Sequence, residues 1–335
     1  MERPLKNLFS NLKKGRYDCK DAHIIRFFSS YVLICDGKAV EVTDPYLAYC
    51  PLAGVLYKGI NSVQGVNSLK QFIEDSINKK TDKFKHFSHL RELKRTDIAV
   101  PYGASEILMY GLKEKTIDAA CVVCDGCGTV VVDKPEIAQG IGARMNGLFF
   151  TSPIAGIIER LEASGSRVLS PDADIDQVKG VKKAVSLGYK KIAVTVNASM
   201  DGSFKRLREL EKKAGISLII LAVCTTGISP KRVRHICGYS DMVWSCASNE
   251  VRKTAGRKAI LQLSTKIPVF VLSAKGLDLI KAYSPDGYLI ANLNTRNQYL
   301  IAKGNRGKNI KIGNFDACLS QVELPVRDKG EPICA

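Results

Sequence analysis

Apolar residues along this chain come in two textures: short dense runs, and longer stretches where they recur every third or fourth position. The runs YVLIC and KAVEV flank Asp36-Gly37, a favoured two-residue turn, so residues 31–43 are expected to form a β-hairpin. Further strand-like runs lie at 119–123, 130–132, 166–169, 191–196, 218–223, 242–244 and 269–272. Helical periodicity fills the intervals at 134–146, 153–164, 174–187, 203–214, 230–238, 248–257 and 276–284. Earlier helices are expected near 67–78 and from a cap at Ser105. The strand runs are almost continuously apolar, as strands buried on both faces require. The pattern therefore predicts an α/β fold with a predominantly parallel, doubly wound sheet. A small N-terminal β-hairpin element and a small C-terminal β-element, Tyr288-Leu-Ile-Ala with Gln298-Tyr-Leu-Ile-Ala, complete it. The organisation read from this is 1–104, a hairpin and basic helical segment packed on the core; 105–285, the α/β core; and 286–335, the β-element and an irregular tail. An irregular segment begins at Cys50-Pro-Leu.

Composition narrows the class. The 335 residues are 45% hydrophobic and 25% charged, as in an ordinary globular protein. The longest apolar runs are about half the roughly 20 residues of a membrane span, and MERPLKNLFSNLKKGR lacks an apolar signal core. A cytoplasmic protein without a membrane role is the expectation. Eleven cysteines in such a compartment point to metal, redox chemistry or packing more than to disulfides, and Cys35 and Cys237 read as core positions. Only four histidines occur, which argues against a histidine-rich metal site.

The net charge of +17 is uneven: residues 251–315 hold twelve Lys/Arg against two Asp/Glu. Residues 79–95 hold seven basic and two acidic residues and read as a solvated connection, His86 and His89 included. Such surfaces attract anionic partners: a phosphorylated cofactor, an acidic protein or nucleic acid. No nucleic-acid-binding fingerprint accompanies the charge, so nucleic acid ranks last.

Candidate chemistry concentrates where strands end. In open α/β sheets, ligands bind beyond the carboxyl ends of the strands. Those ends read CDGCGT (124–129), NASMDG (197–202), CTTGISP (224–230) and SCAS (245–248), joined by Gly140-Ile-Gly-Ala-Arg144 and Thr151-Ser152-Pro153. Helix N-termini and hydroxyls there would form an anion site from Gly126, Gly128, Thr129, Gly140, Gly142, Arg144, Thr151, Ser152, Thr225, Thr226, Gly227 and Ser248. Each loop alone is equally a cap or a tight turn. Asp125 is a general base, a metal ligand or a ribose-hydroxyl acceptor, and Cys124 a nucleophilic or redox thiol. A second reading places an iron–sulfur cluster or zinc on Cys121, Cys124, Cys127, Cys224 and Cys246. It depends on where the strand stops, because a strand continuing to residue 124 sends Cys121 and Cys124 to opposite faces.

The blocks IDAACVVCDGCGTVVVDKPEIAQGIGARMNGLFFTSPI, GVKKAVSLGYKKIAVTV, AVCTTGIS and WSCAS resemble the methanogenesis marker protein 8 family, over roughly residues 35–285. The resemblance implies an archaeal domain of unknown function in a methane-metabolism context, without a reaction. It also implies that the glycine turn, more than the thiol triplet, is the shared device. The expected function is binding of an anionic small molecule or cofactor at the strand-end rim, in coenzyme biosynthesis or enzyme maturation. A metal-binding redox protein and a basic adaptor for an acidic protein or nucleic acid are the alternatives.

Overall fold

A computed structural model describes residues 3–45, 47, 59–200, 202–304 and 306–328. The segment opening at Cys50 lies mostly outside them. In chain order the elements are α1 (Arg3–Lys13), β1 (Ala22–Phe27), β2 (Ser30–Cys35), β3 (Lys38–Val42), α2 (Val66–Phe84), α3 (Ala104–Lys113), β4 (Ala119–Cys124), β5 (Gly128–Val132), α4 (Pro135–Gly142), β6 (Gly147–Thr151), α5 (Ala155–Ala163) and β7 (Arg167–Val168). There follow α6 (Gln177–Ser186), β8 (Lys191–Asn197), α7 (Phe204–Ala214), β9 (Ser217–Val223), α8 (Pro230–Tyr239), β10 (Met242–Trp244), α9 (Asn249–Gly256), β11 (Leu261–Leu263), β12 (Val269–Val271), α10 (Ala274–Ala282), α11 (Gly287–Ala291), β13 (Tyr299–Ala302), β14 (Lys308–Ile312) and β15 (Phe315–Gln321). Among the described residues no helix is long and apolar enough to cross a membrane.

The chain divides into two compact units, neither contiguous in sequence. The first comprises residues 1–93, 123–130 and 145–176; the second comprises 94–122, 131–144 and 177–335. Residues 123–130 and 145–176 group with the N-terminal elements.

In the first unit an antiparallel sheet runs in the order β3-β2-β1-β6. The hairpin at Asp36-Gly37 forms as expected, with Cys35 opposite Lys38. Every residue of β1 and β2 is buried, because helices cover both faces. On one face Ile25, Val32 and Ile34 meet Leu69, Ile73 and Ile77, spaced one helical turn apart on α2. On the other, Ile24, Tyr31 and Leu33 meet Leu5 and Leu8 of α1. Cys35, read as a core thiol, is buried but joined to Cys19 by a disulfide, their Cα atoms 5.3 Å apart.

The second unit holds a mixed sheet. Strands β4-β8-β9-β10 are neighbours and run parallel. Beyond β10 the pairing turns antiparallel to β12 and β11, parallel again to β13, then antiparallel through β15 to β14. The predominantly parallel, doubly wound sheet expected from the sequence thus reduces to a parallel run within a mixed sheet. The reason lies at 264–268: a short turn joins β11 to β12, too short for the helical crossover that parallel neighbours need. Helices α6, α7, α8 and α9 contribute Val181, Phe204, Val233 and Val251 to one cluster with Val194, Ile220 and Val243 of the sheet.

Two local expectations change. Tyr288-Leu-Ile-Ala lies in α11, not a strand; a four-residue apolar run is equally compatible with one helical turn, and only Ile290 of this run is buried. Ser105 does not cap α3, whose N-cap is Gly103; its hydroxyl instead donates to Glu106 Oε2 at 3.0 Å. The side chain of Glu106 reaches back to accept the amides of Ala99 and Val100, ahead of the helix.

Ile73 has no exposed surface at the centre of the α2–sheet cluster. Ile73→Ala is expected to cost about 2–5 kcal/mol, measured by urea unfolding at neutral pH, since an Ile-to-Ala change leaves a cavity there.

Candidate functional site

β4 continues through Cys124, and the chain then reverses through Asp125-Gly126-Cys127 into β5. The Cys127 amide donates to the Cys124 carbonyl at 3.2 Å, closing the turn. Gly126 and Gly128 sit at φ of +74° and +67°, in the left-handed region that favours glycine. Protein atoms occupy the space beside both. A Cβ on Gly126 would lie 2.9 Å from Ile154 Cβ, and one on Gly128 would lie 2.2 Å from the Ala173 carbonyl oxygen.

This turn lowers Asp125 into the first unit, where it has no exposed surface. Arg91 Nε reaches Asp125 Oδ1 at 2.7 Å, and the Phe87 amide donates to Oδ2 at 2.7 Å. Arg91 Nη1 lies 2.6 Å from His86 Nδ1. A guanidinium has only donors, so Nδ1 accepts and the His86 proton resides on Nε2. His86 Nδ1 stands 4.0 Å from Asp125 Oδ2. Burial alone would raise the Asp125 pKa, but Arg91, helped by the Phe87 amide, holds the carboxyl below its ordinary value. Burial likewise opposes the charge on Arg91, and Asp125 overcomes it.

Beside this pair, the Thr151 hydroxyl accepts the Gly126 amide at 2.7 Å and meets His23 Nδ1 at 2.7 Å. His23 Nε2 is buried without a hydrogen-bond partner among the described residues. Burial lowers the His23 pKa to about 4, against the opposing pull of Asp125 and Asp36. The imidazole is neutral at pH 7. Ser152 ties β6 to β1, accepting the Ala22 amide at 3.0 Å. Thr129 donates its amide to the Asp174 carbonyl and accepts the Asp176 amide on Oγ1. The amides of Gly126 and Thr129, which the sequence offered to a ligand, are thus bonded within the protein.

His23, His86 and Arg91 were missed in the sequence, and the reading of His86 as a solvated surface residue is corrected: it is buried. Arg91 sits in a run of charges that normally marks an exposed face. The usable signal was Asp125 itself, since a carboxylate at a buried strand end demands a cation.

In the second unit, β8, β9 and β10 end side by side, with Asn197 opposite Val223 and Val243 opposite Ala222. This register brings Cys224, Thr225, Thr226 and Gly227 beside Cys246 and Ser248. The Thr225 hydroxyl donates to the Trp244 carbonyl at 2.6 Å, and the Ala247 amide donates to Thr226 Oγ1 at 3.3 Å. Ser199 Oγ donates to the Cys224 carbonyl at 2.5 Å. Ser229 and Ser248 cap α8 and α9, accepting the Arg232 and Val251 amides. Cys224 and Cys246 are half-buried and both left-handed, at φ of 59° and 47°.

Gly140 and Gly142 lie within α4, and a Cβ on Gly142 would fall 2.4 Å from Ser105 Cβ. Arg144 follows that helix, exposed and close enough to Asp97 to lower its pKa alongside Arg95. Cys121 belongs to the apolar cluster of the second unit, where burial pushes its thiol up to about 12. Because β4 runs through Cys124, the pleat sends Cys121 and Cys124 to opposite faces, against a shared metal. Among the described residues no group of three or more His, Cys, Asp or Glu side chains is arranged to hold a metal ion.

Residues 23–283 match a family described as an uncharacterized protein conserved in archaea (DUF2099). The chain is also 37% identical to "Uncharacterized protein MJ0054" of Methanocaldococcus jannaschii over 268 residues, covering 79% of this chain and 92% of that protein. The chain belongs to the DUF2099 family.

The neutral, buried His23 sets a pH window. Below pH 6.5 the unfolded chain protonates His23, while the folded chain resists until about pH 4. Its contribution is therefore complete above 6.5 and is lost as the pH falls to 4, by about 3 kcal/mol. Asp125 adds a loss only in more acidic solution, where the unfolded carboxylate takes up its proton before the folded one. Urea unfolding at pH 7 and pH 4.5 is expected to show most of this drop in the wild type and a clearly smaller one in His23→Phe. Equal drops in the two proteins would refute the assignment.

Proposed function

We propose that this DUF2099 member binds an anionic small molecule or cofactor at the strand-end rim of its second unit. The parallel register of β8, β9 and β10 carries the reading. It places the loops after three strands on one edge, two of them leading directly into the N-termini of α8 and α9. Amides of those first turns, the Ser199 and Thr226 hydroxyls and the Arg232 guanidinium then share a neighbourhood, since Arg232 Nε donates to the Ala198 carbonyl at 3.0 Å. Such a set suits a phosphate or carboxylate. Left-handed backbone at two non-glycine residues, Cys224 and Cys246, is a strain of the kind that clusters at ligand sites. The basic excess of residues 251–315 draws anions towards the unit that contains them. The likeness to the methanogenesis marker protein 8 family supports a role beside methane metabolism, in coenzyme biosynthesis or enzyme maturation.

Calorimetric titration with inorganic pyrophosphate tests the rim. Saturable one-to-one binding is expected, weakened about tenfold by Thr226→Val and by Arg232→Ala, the loss of one charge-assisted hydrogen bond each. Lys311→Ala, on β14, is expected to leave it unchanged. Absence of binding, or an equal loss in Lys311→Ala, would mean that no specific anion site exists there.

A further inference from the structure

The β4–β5 turn holds a feature that the rim does not use. Cys124 and Cys127 occupy the first and last positions of a closed four-residue turn, and neither has exposed surface. Residues so related have Cα atoms within about 7 Å, which overlaps the roughly 4.4–6.8 Å that a disulfide spans. The Cys124 sulfur stands 3.3 Å from the Asp125 carbonyl oxygen and 3.8 Å from Asp125 Oδ1, the carboxylate oxygen that Arg91 Nε reaches.

We propose that Cys124 and Cys127 form a dithiol–disulfide couple whose oxidants are low-molecular-weight disulfides. In the first step the Cys124 sulfur attacks one sulfur of R–S–S–R. The old S–S bond breaks, a mixed disulfide forms, and the leaving thiolate takes up the Cys124 proton as R–SH. In the second step the Cys127 sulfur attacks Cys124 Sγ, the bond to the small thiol breaks, and a second R–SH leaves with the Cys127 proton. Two electrons pass from the protein dithiol to the small disulfide. Since both sulfurs are covered, exchange proceeds when the turn opens, which favours small oxidants over bulky ones.

The test uses the full chain, purified without oxygen and held with excess hydroxyethyl disulfide, then quenched in acid, alkylated and mapped by peptide mass spectrometry. Expected is a Cys124–Cys127 peptide two hydrogens lighter than its reduced form, restored by dithiothreitol. Cys127→Ser is expected to retain a hydroxyethylthio adduct on Cys124. If both thiols stay alkylatable after prolonged exposure, or wild-type Cys124 keeps an adduct that Cys127 never displaces, the proposal is overturned. Should Cys127→Ser fail to fold by circular dichroism, the wild-type map decides alone. The Cys19–Cys35 disulfide falls in a separate peptide and has no bearing on the outcome.

Discussion

A carboxylate with no exposed surface stays ionised only if something replaces the water it has lost, and for Asp125 that replacement is Arg91. Transfer of either charge alone into the first unit would cost several kcal/mol. Together, at 2.7 Å and with the Phe87 amide and His86 taking the remaining bonds, they form a neutral and nearly satisfied group. The requirement propagates outward. Asp125 must be presented by a tight turn, so Gly126 and Gly128 adopt left-handed backbone against Ile154 and Ala173. Arg91 must be presented by the irregular segment after α2, which is why that segment turns inward instead of running over the surface. Thr151 then fixes the Gly126 amide and meets His23 Nδ1, and burial in this setting keeps His23 neutral.

The second unit works by a different logic. Its parallel strands need no buried ion pair at their carboxyl ends, because backbone, hydroxyls and helix caps satisfy one another there. An ion-pair network lies at the opposite end of β9, where Arg208 pairs with Glu211 and Asp241, and Asp241 in turn accepts the Ile220 amide and the Ser273 hydroxyl. That network anchors the start of the strand.

Regular elements were legible wherever the local pattern alone decides them. The hairpin at Asp36-Gly37, the run of β8 and β9, and the helices from α6 to α9 follow from turn chemistry, β-branched runs and helical periodicity. Elements decided by tertiary contact were not. β1 hides in AHIIRF because His23 and Arg26 interrupt its apolar run, and both are buried by neighbours distant in sequence. β12 reads like any buried strand, and its antiparallel direction follows from the short turn before it. At the candidate site, Asp125 and its glycines stood out, yet their partners did not. Arg91 and His86 lie in a segment whose composition is that of a solvated face, and no periodicity marks the two positions that turn inward.

The claim that the Arg91–Asp125 pair organises the first unit is tested most directly by a double-mutant cycle on stability, with Arg91→Met, Asp125→Leu and both together. Each single change strands a buried charge and is expected to cost about 3–5 kcal/mol. The double change removes both charges, so its cost should fall well below the sum, with a coupling of about 2 kcal/mol or more. Additive costs, or single variants as stable as the wild type, would contradict the account.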